Sequence, residues 1–404
     1  MSKLRLSALI VAILLAAWIG VVMTRSEPVL PTPRSTLPTH QPPTASLPAT
    51  VAPCERVDWP SYRGSPALAG TARSLPGIPV RKWSWEAGAS VIATAAIVGD
   101  GVFVATQRGV LARLRLRDGH EMWRLPGGAP YVGSPLVVDG TVYVGDEDGV
   151  VRAVDAASGA LRWSRDLEAK IMGSPTAAPT SILIGTYGNV LLRLAVNDGH
   201  TLWSVNSDSY VHATAAVVGD WVVFAGCDAD VHCLDMSDGS QRGHYPGKDP
   251  YAAAPACVGN TAWVASHSGT VAALTLPAVT VRWHKPGGIG EITEAAAADG
   301  IHAVFAGGAG ALVCLAARDG ALRWTVRLGT GVRAPPVICG DQVIQGAEDG
   351  VLRGLDLSDG KERWRFAAGG AIRAGAAIAG PWLIIPTTDG AVHGLCAEST
   401  SSGP

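Results

Sequence analysis

Tryptophan occupies a ladder of slots forty residues apart: Trp83, Trp123, Trp163, Trp203, a vacancy at Gly243, Trp283, Trp324 and Trp364, with a single interval of forty-one. Six of the seven units ending at slots 123 to 364 also carry a turn whose glycine lies four residues ahead of the slot. These turns are Asp118-Gly119, Ser158-Gly159, Asp198-Gly199, Asp238-Gly239, Asp319-Gly320 and Asp359-Gly360, and the exception has Pro277-Ala278. A period near forty with one such turn per copy is what propeller blades produce, each unit burying its face only against its neighbours.

Residues 124–163 show the unit most clearly. Ser134-Pro135-Leu136-Val137-Val138, Thr141-Val142-Tyr143-Val144-Gly145, Val150-Val151-Arg152-Ala153-Val154-Asp155 and Ala160-Leu161-Arg162-Trp163 are separated by turns at Asp139-Gly140, Asp146 to Gly149 and Ser158-Gly159. Four β-branched-rich runs joined by Asp-Gly-type turns predict a four-stranded antiparallel meander. Seven full units end at the slots from 123 to 364, and an eighth stops after three strands near Cys396. Val80-Arg81-Lys82-Trp83 matches Ala160-Leu161-Arg162-Trp163 and is expected to supply the missing outer strand, closing the ring without exposed edges. The expected fold is therefore all-β, an eight-bladed β-propeller of four-stranded antiparallel blades over residues 58–397.

The N-terminus reads differently. Residues 1–5 form a short tail with Lys3 and Arg5, and residues 6–24 are nineteen uncharged, mostly aliphatic positions. At ~1.5 Å per residue a helix of that length matches a ~30 Å hydrocarbon core, and the basic tail favours a cytoplasmic start. We expect one N-terminal transmembrane helix. A cleaved signal segment is the competing reading, disfavoured by the length of the run and by the lack of a small-x-small site before Arg25. Residues 25–57 form a Pro/Thr-rich linker with eight prolines between Ser26 and Pro53, a composition that cannot bury a core and acts as a semi-rigid tether. Residues 398–404 are a flexible tail. This layout predicts a single-pass protein of the bacterial cytoplasmic membrane with a monomeric propeller on the periplasmic or extracellular side.

Net charge is −2, which gives no electrostatic case for nucleic acid. Seven cysteines are scattered through different repeats with no paired spacing, and most read as small buried hydrophobes. Cys227 and Cys233 lie near opposite ends of one hairpin, where a bridge is the alternative.

Ala153-Val154-Asp155-Ala156-Ala157-Ser158-Gly159-Ala160-Leu161-Arg162-Trp163 resembles the Ala-x-Asp-x-x-Thr-Gly-x-x-x-Trp tryptophan-docking motif of the pyrroloquinoline-quinone-type propellers, and Gly354 to Trp364 is a second copy. The lead-in Asp58-Trp59-Pro60-Ser61-Tyr62-Arg63-Gly64 also resembles segments that precede the ring in that superfamily. The resemblance implies that Trp83, Trp123, Trp163, Trp203, Trp283, Trp324 and Trp364 are structural, each docking on the glycine turn of the next blade. It also implies one of two activities. Quinoprotein dehydrogenases bind pyrroloquinoline quinone (PQQ) and calcium in the central funnel, whereas BamB-like scaffolds are non-enzymatic and bind envelope proteins.

The residues favour the scaffold. The chain has no adjacent cysteine pair, almost no insertion between repeats, and no His-x-x-x-His spacing. The acidic turns Asp146-Glu147-Asp148 and Glu348-Asp349 read as solvated hairpin turns, and Ser134 and Ser174 recur with the repeat and need no catalytic triad. No catalytic residue, metal or cofactor is expected, with PQQ and Ca²⁺ as the alternative. A small-ligand-binding sensor is a third reading. Aligning the entry of each innermost strand places Ile92, Val132, Met172, His212, Ala252, Ile292, Arg333 and Arg373 around the funnel. Arg333 and Arg373, with His212, Tyr131, Tyr210, Tyr251 and Glu294 nearby, form the expected binding rim for a carboxylate, a phosphate or an acidic segment, since guanidinium offers planar bidentate donors.

Overall fold

The computed structural model describes residues 58–286 and 288–398. The expected anchor at 6–24 and the linker at 25–57 lie outside the described residues, as does all of the C-terminal tail after 398. Among the described residues no helix is long and apolar enough to cross a membrane.

Eight antiparallel sheets follow one another around a ring, each running from an innermost strand of two or three residues to an outermost one. Blade two shows the pattern, with Leu136–Val138, Thr141–Gly145, Val150–Asp155 and Leu161–Asp166 paired in that order. Blade eight is built from Ala377–Ala379, Trp382–Pro386 and Ala391–Cys396, and Val80–Glu86 adds its outer strand. In that pairing Val80 faces Cys396 and Trp85 faces Val392. The ring thus closes through its two chain ends, as the repeat count requires.

Every outer strand carries a register shift just before its slot, for example between Leu161 and Trp163 or between Arg113 and Leu114 opposite Trp123. A bulge of this kind turns the strand and re-aims the following side chain. The tryptophan consequently reaches across to the next blade. The indole N–H of Trp83 donates to the Leu116 carbonyl at 2.7 Å, that of Trp163 to Val196 at 2.9 Å, and that of Trp203 to Met236 at 2.9 Å. The turn glycine completes the joint, since a Cβ on Gly119 would lie 2.6 Å from the Trp83 ring and one on Gly199 2.7 Å from Trp163. Trp123, Trp283 and Trp324 dock in the same way. Trp364 departs from the scheme because blade eight has no third-to-fourth turn to receive it; its indole donates to Gln342 Oε1 of its own blade at 2.7 Å.

Cys227, Cys233, Cys257, Cys314, Cys339 and Cys396 are free thiols, so no bridge joins Cys227 to Cys233. Burial pushes the Cys233, Cys314 and Cys339 thiols up to about 12, as expected of small apolar core residues.

Candidate functional site

The lead-in does more than precede the ring. Residues 59–72 run across the inner edges of the blades, and their carbonyls accept from the middle N–H of the innermost strand in six of them. Trp59 takes Ile97, Pro60 takes Val137, Pro66 takes Val217, Ala67 takes Cys257, Ala69 takes Ala298 and Gly70 takes Ile338. Thr71–Ala72 then pairs in parallel with the inner strand Val337–Cys339. Inner strands present otherwise unpaired N–H groups to the channel, so an extended segment laid against them satisfies those groups. It also closes the channel at that end. The entry end remains open as a cavity of about 220 Å³ whose lining includes Tyr62 of the lead-in.

Ile92, Val132, Met172, His212, Ala252, Arg333 and Arg373 line this funnel in equivalent positions. Blade six differs from expectation. The forty-one-residue interval shifts its register by one, so Thr293 lines the funnel while Ile292 is fully buried in the same core position as Val91, Val332 and Ile372. Tyr131 and Tyr251 are also corrected: both are buried between blades, at 0% and 4% exposure, and neither reaches the rim. Each packs beneath the entry loop, where a Cβ on Gly127 or Gly247 would meet its ring.

The two arginines are not equivalent. Arg373 is held in a bidentate pair by Glu348, Nε to Oε1 at 2.9 Å and Nη2 to Oε2 at 3.2 Å. Arg333 is exposed and makes no ion pair among the described residues. Across the funnel, Tyr187 and Tyr210 stack with centroids 4.5 Å apart and planes 2° from parallel, and the Tyr187 hydroxyl shares a 2.6 Å hydrogen bond with His212 Nδ1. Burial lowers the His212 pKa and keeps the imidazole neutral.

Glu294 sits at the base of this arrangement. Burial pushes its carboxyl up to about 7, against the opposing pull of the Thr293 hydroxyl and of the Arg63 and Arg333 guanidinium groups. Arg63, from the lead-in, is 2% exposed and donates from Nη2 to the Ala296 carbonyl at 2.7 Å. Its Nε and Nη1 are buried without a hydrogen-bond partner. Burial lowers the Arg63 pKa to about 10, which still leaves it charged at neutral pH. Burial and the nearby Glu294 charge raise the Tyr62 pKa.

Sequence reasoning missed Tyr62, Arg63, Tyr187 and Thr293. The first two belong to a segment that repeats nowhere else, and Tyr187 lies in a hairpin turn distant in sequence from the funnel entries. The recurring hydroxyls were legible as repeat structure, and they brace the funnel wall. The Ser134 N–H donates to Ser174 Oγ at 2.8 Å, Ser174 N–H to Thr214 Oγ1 at 2.9 Å, and Gly375 N–H to Thr94 Oγ1 at 3.1 Å.

The family model described as outer membrane protein assembly factor BamB matches residues 79–163, 127–300 and 259–401. The chain belongs to that family. BamB from Moraxella catarrhalis superposes with a TM-score of 0.70 at 19% identity, covering 79% of this chain and 100% of that one. The quinohemoprotein alcohol dehydrogenase of Comamonas testosteroni gives 0.72 at 13% identity, covering 86% and 81%. The computationally designed Ika8 protein gives 0.71 at 15% identity, covering 78% and 99%. These structures share the ring. No curated protein matches the sequence.

The hairpin turns overturn one expectation. Asp146 is fully buried: it caps Asp148 and Val150 N–H and pairs with Arg152. In blades four and seven the acid stands two positions further along the turn, where Asp228 pairs with His232 and Asp349 with Arg353. These acids fasten the second-to-third turn to the third strand. Among the described residues no group of three or more His, Cys, Asp or Glu side chains converges as a metal site.

Proposed function

We propose that this BamB-family propeller is a non-catalytic protein-binding scaffold of the cell envelope, anchored by residues 6–24 on the outer side of a bacterial cytoplasmic membrane, with its open funnel face turned to the partner. The observation that carries this reading is the funnel itself, lined by Arg333, which makes no ion pair among the described residues, and by His212, which is hydrogen-bonded to Tyr187 of the stacked Tyr187–Tyr210 pair. Tyrosine and arginine are the residue types that dominate binding hot spots, and a funnel closed at its far end admits a protruding loop or terminus from one side only.

The donor set does not fit a quinone held with calcium. Calcium takes six to eight oxygens, while the funnel acids are Glu294, whose pKa burial raises to about 7, and Glu348, which is committed to Arg373. The Ser174, Thr214 and Thr94 hydroxyls accept inter-blade hydrogen bonds. No oxidation step is derived.

Two measurements on the full-length protein test the reading. Incubation with PQQ and Ca²⁺ followed by desalting is expected to leave no quinone absorbance; retained, saturable chromophore would overturn it. A photo-crosslinker placed at Tyr210 in cells is expected to capture an envelope protein that the same probe at Leu161, on an outer strand, does not.

A further inference from the structure

The funnel floor is electrostatically unfinished. Arg63 is buried with two N–H groups lacking acceptors, Arg333 makes no ion pair among the described residues, and burial raises the pKa of the carboxyl they both influence, Glu294, to about 7. Two guanidinium groups therefore face a single acid that does not hold a full negative charge at neutral pH. Of the two, Arg333 lines the cavity and Arg63 does not, so Arg333 is the guanidinium that an entering anion can reach and pair with, while the buried Arg63 adds its positive field. The cavity of about 220 Å³ has room for a side-chain tip or chain terminus, and is below the ~300 Å³ of ordinary small-molecule pockets.

We propose that the funnel is a carboxylate-binding site in which an acidic side chain or C-terminus of a partner polypeptide docks on Arg333 while Glu294 is in its protonated form. This rests on the scaffold reading and names its ligand chemistry. The groups facing Glu294 are Tyr62 and Arg63 from the lead-in, Thr293 beside it, and Arg333 from blade seven. Around the same funnel stand His212, whose pKa burial lowers, and Arg373, which Glu348 pairs. Ionised Glu294 competes with the ligand for Arg333, so binding is coupled to uptake of one proton. A group titrating near 7 is about nine-tenths protonated at pH 6 and about one-tenth at pH 8, which makes the expected loss of affinity about tenfold between those values.

Binding of fluorescein-labelled hexaglutamate to the full-length protein in detergent, by anisotropy at pH 6 and pH 8, tests this. Hexaglutamine with the same label is the neutral control. Saturable binding of hexaglutamate alone, about tenfold weaker at pH 8, is expected. Glu294→Gln is expected to bind equally at both pH values, Arg333→Ala to lose at least about tenfold at pH 6, and His212→Gln to keep the pH dependence. Thermal unfolding of each variant confirms that it is folded, and Arg333→Lys is expected to recover part of the affinity. Equal binding of both peptides, unchanged binding by Arg333→Ala, or a pH dependence that survives Glu294→Gln would overturn the proposal. Capture of an envelope protein at Tyr210 despite any of those results would leave the scaffold reading standing and remove only the carboxylate site.

Discussion

Gly243 and Pro277 fit together because both depart from the repeat. Where six other blades hold a tryptophan against a glycine turn, a Cβ on Gly243 would lie 2.5 Å from the Pro277 carbonyl oxygen and 2.6 Å from the Ala278 carbonyl carbon. The backbone of the glycine-less turn in blade five occupies the space left by the missing indole in blade four. The seam is closed by a second solution, and the two irregular units are complementary.

Gly243→Ala is therefore expected to destabilise the ring by about 1–3 kcal/mol, the usual range for overpacking against backbone that cannot move aside. Gly243→Trp is expected to be worse than Gly243→Ala, although it restores the repeat. Equilibrium urea unfolding checks the order of the two variants.

At a regular seam the effect has two parts. Trp203→Ala removes a buried aromatic and is expected to cost about 3–5 kcal/mol. Trp203→Phe keeps most of the packing but leaves the Met236 carbonyl without its 2.9 Å donor, an expected cost of about 1–3 kcal/mol. The same unfolding measurement separates packing from the hydrogen bond.

Acid should weaken the turns between third and fourth strands. Asp155, Asp235 and Asp356 each pair with the arginine seven residues on, Arg162, Arg242 and Arg363, at 2.6, 2.7 and 2.5 Å. Hydrogen bonds from the Ser237 side chain and backbone, and then from Arg242, pull the Asp235 carboxyl down to about 2. Arg162 acts first on Asp155 and Ser358 first on Asp356, both lowered. A depressed carboxylate stabilises the fold above its unfolded value near 4 and loses that contribution as pH falls through the folded value. The melting temperature is expected to drop between pH 4 and pH 2, and less steeply in Asp235→Asn.

Glu294 has the opposite sign. Its pKa is raised from 4.5 to about 7, so its neutral form favours the folded state below 4.5, and that advantage disappears as pH rises through 7. Glu294→Gln is expected to match the parent protein near pH 4.5 and to exceed it at pH 8 by on the order of 3 kcal/mol. Thermal scans at the two pH values check this, and a variant less stable than the parent at pH 8 would contradict the burial argument.

The repeat made blade number, strand order, tryptophan docking and ring closure legible in the sequence, because each depends on a short pattern recurring against an identical neighbour. Arg333, Arg373 and His212 could be placed at the funnel for the same reason: they share one repeat position. That logic failed where the interval lengthened to forty-one, moving Thr293 into the slot assigned to Ile292, and it could not distinguish buried Tyr131 from exposed Tyr210, which flank equivalent strands. Only the tertiary structure decided how the non-repeating lead-in threads the ring. Its carbonyls meet N–H groups from Ile97 to Ile338, contacts set by the convergence of six blades on one axis. The charge of the funnel floor follows from that same convergence, since Arg63 and Glu294 lie more than two hundred residues apart in the chain and become neighbours only when the ring has closed around the segment.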